Sequence, residues 1–501
     1  MTKQEKDPCL LSKISFCNGK NLLGRINRMS VMLIRPMTPE TSRSGIVSIQ
    51  YPINIGYLLS YLKKHDVACS VKDFEVEQFS ENEFIEATRK KGPKIIGFSC
   101  MTPHIIHAAY IAKLAKDHFP DILTVVGGVH ATAIPEQTLN EFPQFDVIVR
   151  GEGEQTLLEL YQKWSSSKMI KDVQGIAFRD GSNIRLNPLR ALIENLDQTP
   201  FPERSLIPID NYKKSHVTRG ISRKVVNIAE MISSRGCPYD CIFCASKVIH
   251  TRKVRFRSAE NVIAEMEEII KEYKVKHFSF LDDTFTIKKK QLYPICEFIK
   301  SEKATFDCLT RVNDIDEEKI AIMAASGCKK ISFGIESGSP KVLKLIKKGI
   351  TIEQIKRAFY IVKKAKIPIV EASFMIGSHP DETMEDIKMT KKLIFDLRPD
   401  ILALFIAIPY PGTELNKLLK ERGFLKEEKW GEFKLVFGNP SWKLCEIPMK
   451  KLQQIMKKIY FYYYLNPLYL FTSILKIKSY KELKYLADTG LSLVRYITQK
   501  T

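Results

Sequence analysis

The stretch AEMISSRGCPYDCIFCAS, residues 229–246, decides how the rest of the chain is read. Its first six residues are an apolar run that predicts a strand. Three cysteines follow at once, Cys237, Cys241 and Cys244, at C-x3-C-x2-C. A structural zinc site takes a second pair of cysteines or histidines further along the chain. None follows here, and His250 stands alone without a partner spacing. A disulfide is disfavoured by the compartment argued below, which leaves an iron–sulfur cluster held by thiolates. Three ligands would leave one iron of a four-iron cluster open, and an open metal position takes substrate or cofactor.

The chain has 501 residues, room for two to four domains at roughly 100–200 residues each. Its 44% hydrophobic and 27% charged residues are those of an ordinary globular protein. Lys and Arg number 78 against 57 acids, a net charge of +21. Such a balance suits nucleic acid, an anionic lipid or an anionic substrate, and equally a lysine-rich surface. The excess sits on helix-like stretches such as KVLKLIKKG (341–349). No compact basic run marks a nucleic-acid partner. Eleven cysteines, an odd and scattered set, and an N-terminus without a long apolar core predict a cytoplasmic chain with reduced thiols. Outside the trio, the cysteines are expected to pack as small hydrophobes.

Residues 1–28 carry no periodicity and read as a poorly ordered extension. Over 29–170, strand-like runs such as VMLIR (31–35), KIIGFSC (94–100) and ILTVVGG (122–128) alternate with amphipathic helices. That pattern predicts a doubly wound, Rossmann-like parallel sheet. Ligands of such sheets bind at the carboxyl ends of the strands, where PMTPE, SCMTPH, GGVHAT and RGEGEQT fall. Residues 171–228 read as a hairpin with an Asp-Gly turn, then a Pro-rich linker. Over 229–425 six strand–helix repeats predict a partial (β/α)6 TIM-type barrel, with a full eight-fold barrel as the alternative. Residues 426–501 are a helical C-terminal tail. Its apolar part, 457–480, is too short and broken to span a membrane. It reads as an interfacial or lid helix with peripheral membrane contact, or as a helix packed on the barrel.

The cysteine spacing, with Phe243 before the third cysteine at the end of the first barrel strand, resembles the radical S-adenosylmethionine superfamily. The resemblance implies a [4Fe–4S] cluster on Cys237, Cys241 and Cys244, its open iron chelating S-adenosyl-L-methionine. It also implies an external one-electron donor such as ferredoxin or flavodoxin, and a 5′-deoxyadenosyl radical that abstracts hydrogen from unreactive carbon. FLDDTFT (280–286) and FGIESGS (333–339) are similar to family segments around the bound S-adenosylmethionine. On that likeness Glu336 bonds the ribose or amino group, and Arg311 faces the carboxylate. Gly334 lets the backbone approach, and Asp282 and Asp283 face the active site. Capping or ion pairing is the ordinary alternative for the carboxylates. IPYPGTEL (408–415) resembles a family landmark whose Pro and Gly are architectural.

GGVHATAIPE (127–136), VIVRGEGEQT (147–156) and YPINIGYLLSYL (51–62) are similar to the cobalamin-binding domain fused to many of these enzymes. The likeness implies cobalamin contacts from Gly127, Gly128, His130, Gly151, Glu152, Gly153 and Glu154. The loop after the first strand, PMTPETSRSGIVSIQYP, lacks the histidine of D-x-H-x-x-G. Cobalamin is therefore expected without an axial histidine from the protein, with His104 and His107 on a neighbouring loop; a degenerate domain that binds nothing is the alternative. The resemblance as a whole predicts a methyltransferase acting on an unactivated carbon of a small hydrophobic or lipid-like substrate. A cyclase or oxidative carbon–carbon bond-forming enzyme on a lipid or tetrapyrrole is the alternative. FYYYLNPLYLF (461–471) resembles the tail of the lipid- and tetrapyrrole-modifying group. An RNA methylthiotransferase is disfavoured because Cys69 and Cys100 lack triad spacing. A zinc or redox-sensing module is the non-catalytic alternative.

Overall fold

The computed structural model describes residues 30–38, 49–207, 212, 227–434, 440–470, 480 and 490. The readings of 1–28, of most of the loop after the first strand, and of the tail beyond 470 lie outside these residues.

The first sheet contains β1 (Val31–Arg35), β2 (Cys69–Asp73), β3 (Ile95–Ser99), β4 (Leu123–Gly127) and β5 (Val147–Val149), with the hairpin β6 (Ile176–Asp180) and β7 (Asn183–Leu186). The spatial order is β2-β1-β3-β4-β5-β6-β7. The first five strands are parallel; β6 and β7 add antiparallel. Residues such as VMLIR are apolar on both faces because helices cover both sides. The order 2-1-3-4-5 places the topological switch, and so the ligand crevice, between the ends of β1 and β3. The hairpin was expected in a separate linker segment; it extends this sheet instead, because Ile176–Phe178 pair with β5.

The second sheet contains β8 (Ile228–Met231), β11 (His277–Phe280), β12 (Thr305–Thr310), β13 (Cys328–Glu336), β14 (Ile369–Ile376) and β15 (Ile401–Ile406). They lie side by side in chain order, all parallel. This is the six-stranded partial barrel. Between β8 and β11, the short pair β9 (Ser234–Arg235) and β10 (Arg255–Phe256) runs antiparallel. The first barrel strand is thus shorter than expected, because Ser234 leaves for this small ribbon. Several barrel helices open on a Ser, Thr or Asp whose side chain accepts a first-turn backbone N–H: Ser258, Asp316, Ser339, Thr351, Thr383 and Thr413.

An open barrel leaves two edges with unpaired backbone groups. On β8, Arg204 donates to the Glu230 carbonyl at 2.7 Å and Arg257 to that of Ile232 at 2.9 Å. On β15, helix Met449–Tyr464 supplies tyrosines. The Tyr464 hydroxyl accepts from the Leu402 N–H and donates to the Leu402 carbonyl, both at 3.0 Å. Tyr460 treats Leu404 the same way, at 2.8 and 2.9 Å. Four residues along a helix rise about 6 Å and two along a strand about 6.7 Å, so an i, i+4 tyrosine pair matches alternate strand residues. Tyr463 and Tyr469 reach the carbonyls of Pro399 and Asp400. Of the two expectations for the tyrosine run, an interfacial helix or a helix packed on the barrel, the described part meets the second and covers a sheet edge. Phe461, Tyr462, Leu465 and Leu468 remain exposed on the same segment. Among the described residues no helix is long and apolar enough to cross a membrane.

Candidate active site

The cysteine loop begins where β8 stops. The Ser233 N–H meets both Asp282 oxygens at 3.1 Å, the Ser233 hydroxyl donates at 2.8 Å, and the Ser234 hydroxyl adds a fourth bond. Asp282 is thus a clamp that ties β11 to the start of the loop. Its bonds go to the loop's own serines, and burial pushes its carboxyl up. At Gly236 φ is +93°, and a Cβ would collide with the Lys253 carbonyl. Only glycine lets the loop pass so close to its own return.

Beyond it the three thiols are free: Cys241 is buried, Cys237 and Cys244 half-buried. The Ile242 N–H donates to the Ile346 carbonyl at 3.2 Å, and the Ile242 carbonyl accepts from the Leu415 N–H at 2.9 Å. The loop is therefore held on both sides by segments from the far strands of the barrel. Burial pushes the Cys244 thiol up to about 11, with Asp283 adding to the effect. Asp283 is exposed and accepts from the Ser246 hydroxyl at 2.6 Å, two residues after Cys244. Among the described residues no three His, Cys, Asp or Glu groups converge as they would on a single ion.

Arg311, just past β12, reaches the loop. Its Nη1 donates to Cys241 Sγ at 3.7 Å, and Nη2 donates to the Lys348 carbonyl. Its guanidinium lies 3.6 Å from the centroid of the Tyr239 ring. Glu336 ends β13 at φ +71°, a backbone conformation costly for any residue but glycine. Its carboxylate pairs with Lys348 at 2.8 Å, both side chains nearly buried. A Cβ on Gly334 would press on this pair, so Gly334 makes room for it. Lys348 also lies 6.0 Å from the Phe243 ring centroid. Lys348 is not marked as a site residue by its surroundings in the chain, because a lysine in KVLKLIKKG looks like part of a solvated helix face.

In the first domain, Glu152 and Glu154 were expected to meet a cofactor. Their carboxylates are taken up elsewhere. Glu152 bonds Arg235 at 2.9 Å, both Arg255 amines at 2.8 and 2.9 Å, and the Ile193 N–H at 2.8 Å. Glu154 pairs with Arg235 at 2.8 Å. Those arginines bring Glu152 down to about 2. This network locks the first domain to the entry of the cysteine loop, and neither arginine carries a motif that would have announced it. His130 is buried, its ring edge-on to Trp430 at 4.8 Å and its Nδ1 3.2 Å from the Thr102 hydroxyl, while among the described residues its Nε2 has no hydrogen-bond partner; burial lowers it to about 3. Gly127 ends β4, and Gly128 passes against the Cys100 backbone. Gly153 packs against Leu58. Gly412, from the predicted landmark, sits 2.8 Å from Ala133 of the first domain and 3.1 Å from Val248 after the cysteine loop, counted from an added Cβ. Its role is architectural.

The histidines at the crevice can be assigned tautomers. A backbone N–H can only donate, so a ring nitrogen that receives one must be an acceptor. Met101 N–H donates to His104 Nδ1 at 3.1 Å, and Met37 N–H to His107 Nδ1 at 3.0 Å. Each neutral ring then carries its proton on Nε2 and has no lone pair free for a metal. His104 Nε2 meets Glu75 at 3.2 Å, while among the described residues the buried His107 Nε2 has no hydrogen-bond partner. Gly151 adopts φ +76° with open space where a Cβ would stand. These features fit a ligand with amide acceptors lying over bare backbone, and without a histidine bond to cobalt.

An open parallel barrel with a three-thiol loop at its first strand, joined to a sheet of order 2-1-3-4-5, defines a two-domain α/β metalloenzyme. Comparison with known proteins narrows it. Residues 231–394 match the Radical SAM superfamily model, and 45–161 match the B12 binding domain. An uncharacterized methyltransferase of Pyrococcus horikoshii is 34% identical over 442 residues, 88% of this chain and 93% of its own. An anaerobic magnesium-protoporphyrin IX monomethyl ester cyclase of Rubrivivax gelatinosus is 31% identical over 404 residues, 79% of this chain and 70% of its own. Among solved structures, the cobalamin-dependent radical enzyme OxsB, with aqua-cobalamin and S-adenosylmethionine bound, superposes with a TM-score of 0.67 at 21% identity. That match covers 93% of this chain and 72% of OxsB. The methyltransferase TsrM of Kitasatospora setae, with cobalamin and a [4Fe–4S] cluster bound, gives 0.66 at 16% identity, 79% of each chain. The chain belongs to the cobalamin-dependent radical S-adenosylmethionine enzymes. Membership implies a [4Fe–4S] cluster, S-adenosylmethionine and cobalamin as cofactors.

Proposed function

We propose that the chain methylates an unactivated carbon of a small, hydrophobic or lipid-like substrate, with Cys237, Cys241 and Cys244 holding the cluster. The observation that carries this reading is the set of three free thiols on one loop, faced by Arg311 and Asp283 and tied to the B12-type domain through Arg235. When bound, the cofactors supply a carbon-centred radical and a methyl group; the chain's own residues bind, orient and exclude water. Asp282 fixes the start of the loop. Glu336 and Lys348 form a neutral pair next to Phe243 that can offer both a carboxylate and an ammonium to the polar groups of S-adenosylmethionine. The bare backbone at Gly151 and the His107 Nε2–H would receive cobalamin. Cyclisation is the second reading, favoured by the 31% identity to the Rubrivivax cyclase. The methylthiotransferase reading has little support, since Cys69 and Cys100 are buried in the first domain.

The test is anaerobic purification, cluster reconstitution and optical spectroscopy with and without cobalamin. The expected result is one four-iron cluster and one corrinoid per chain. Cys237→Ala, Cys241→Ala and Cys244→Ala should each abolish reductive cleavage of S-adenosylmethionine. A chain that takes up no corrinoid at saturating supply cannot transfer methyl groups this way. Zinc in place of iron and sulfide would overturn the whole reading.

A further inference from the structure

The guanidinium of Arg311 is fixed more firmly than a surface arginine that happens to drift near a thiol. It is buried, with 5% exposure. One face stacks on Tyr239, whose position is set by its own bonds: its hydroxyl donates to Asp314 at 2.6 Å and accepts from Asn313 at 3.3 Å. Nη2 is anchored on the Lys348 carbonyl, and Nε reaches Asn313 at 3.3 Å. That leaves Nη1 aimed at Cys241 Sγ, 3.7 Å away. Cys241 is the buried member of the trio, so water competes least for this sulfur. Among the described residues no carboxylate bonds Arg311 directly.

We infer that Arg311 is a positioning residue that acts through Cys241: it donates a charge-assisted hydrogen bond to the ligand sulfur and raises the reduction potential of the cluster. This rests on the cluster reading above. Hydrogen bonds to the sulfurs and local charge are among the levers that set such potentials. The reduced cluster carries one more negative charge than the oxidised one. A donor and a cation beside a ligand sulfur therefore stabilise the reduced form more. The step is a bare one-electron gain from a low-potential donor of the ferredoxin or flavodoxin class; no bond forms or breaks and no proton moves. The residue differs in role from a simple S-adenosylmethionine ligand, because its effect exists before that cofactor binds.

The experiment is an EPR-monitored redox titration of the full-length, reconstituted protein, run first without S-adenosylmethionine and then with it. The variants are Arg311→Gln, which removes the charge, and Arg311→Lys, which keeps it but loses the flat fork that stacks on Tyr239. Arg311→Gln is expected to lower the midpoint by a tenfold change in the one-electron equilibrium, about 59 mV, in both titrations. Arg311→Lys is expected to shift it less, in the same direction. Iron and sulfide content is measured on each sample. If Arg311→Gln fails to hold its cluster, the lysine variant decides, and an unmoved midpoint there overturns the proposal. A midpoint that is unchanged without S-adenosylmethionine overturns it too, even if cofactor affinity falls. If the wild-type chain builds no cluster, the failure lies with the functional reading and not with Arg311.

Discussion

Glu152 offers the sharpest quantitative test of how the two domains are joined. Its side chain is 6% exposed, and Arg235 and Arg255, which bond it, are 9% and 2% exposed. Replacing it with glutamine keeps the volume and one carbonyl acceptor but leaves buried Arg235 with Glu154 as its carboxylate partner and takes from buried Arg255 the carboxylate that both its amines bond. The carboxyl falls from 4.5 to about 2 on folding. At about 1.4 kcal/mol per tenfold, that corresponds to about 3 kcal/mol of stability at neutral pH. Removing one partner of a buried pair independently suggests about 3–5 kcal/mol. The sign follows from the depressed value: the stabilisation is full above the unfolded pKa near 4.5 and is lost as pH falls through about 2. The measurement is urea unfolding of wild type and Glu152→Gln across a pH series, followed by tryptophan fluorescence. Trp164 lies on the helix that starts at Glu154 and reports this region. The variant should be less stable by about 3 kcal/mol at pH 7, and the gap should narrow to about 2 kcal/mol by pH 3.5. Since the pair is buried, the gap should persist in high salt. A gap below about 1 kcal/mol at pH 7, or one that stays constant with acid, would show that the network is not the clamp described here.

Two further outcomes are expected. Tyr460→Phe and Tyr464→Phe each strip the β15 edge of a donor and an acceptor, so each should cost about 1–3 kcal/mol in urea unfolding, while the double variant should also become prone to edge-to-edge aggregation in light scattering. Glu382 is buried, with its carboxyl raised from 4.5 to about 7; its stabilisation is full below 4.5 and lost as pH rises through 7, so Glu382→Gln should be more stable than wild type at pH 8 by about 3 kcal/mol, with no such gain at pH 4.

What the sequence disclosed and what it hid divide along a physical line. Strands and the cysteine loop are local: VMLIR and C-x3-C-x2-C declare themselves within a few residues, and the six barrel strands follow from repeated period and spacing. Partnerships across the fold carry no such mark. Glu152 and Glu154 lie in a glycine-rich turn that resembles a ligand loop, and nothing near them says that Arg235 and Arg255, about a hundred residues on, will bond their carboxylates. The clamp made by Asp282 is hidden for the same reason, since its partners Ser233 and Ser234 lie some fifty residues earlier in the chain. The tyrosine run left two readings open for a different reason. Its composition is that of a membrane-interface helix, because an aromatic ring with one polar end suits both water–lipid boundaries and sheet edges. The i, i+4 spacing of Tyr460 and Tyr464 was visible, but a helix period becomes a strand period only when β15 is known to be unpaired. An open barrel of six strands requires some cover for its last strand, and in a chain that places five tyrosines within ten residues (460–469) just after the barrel, four of their hydroxyls are the donors and acceptors that provide it.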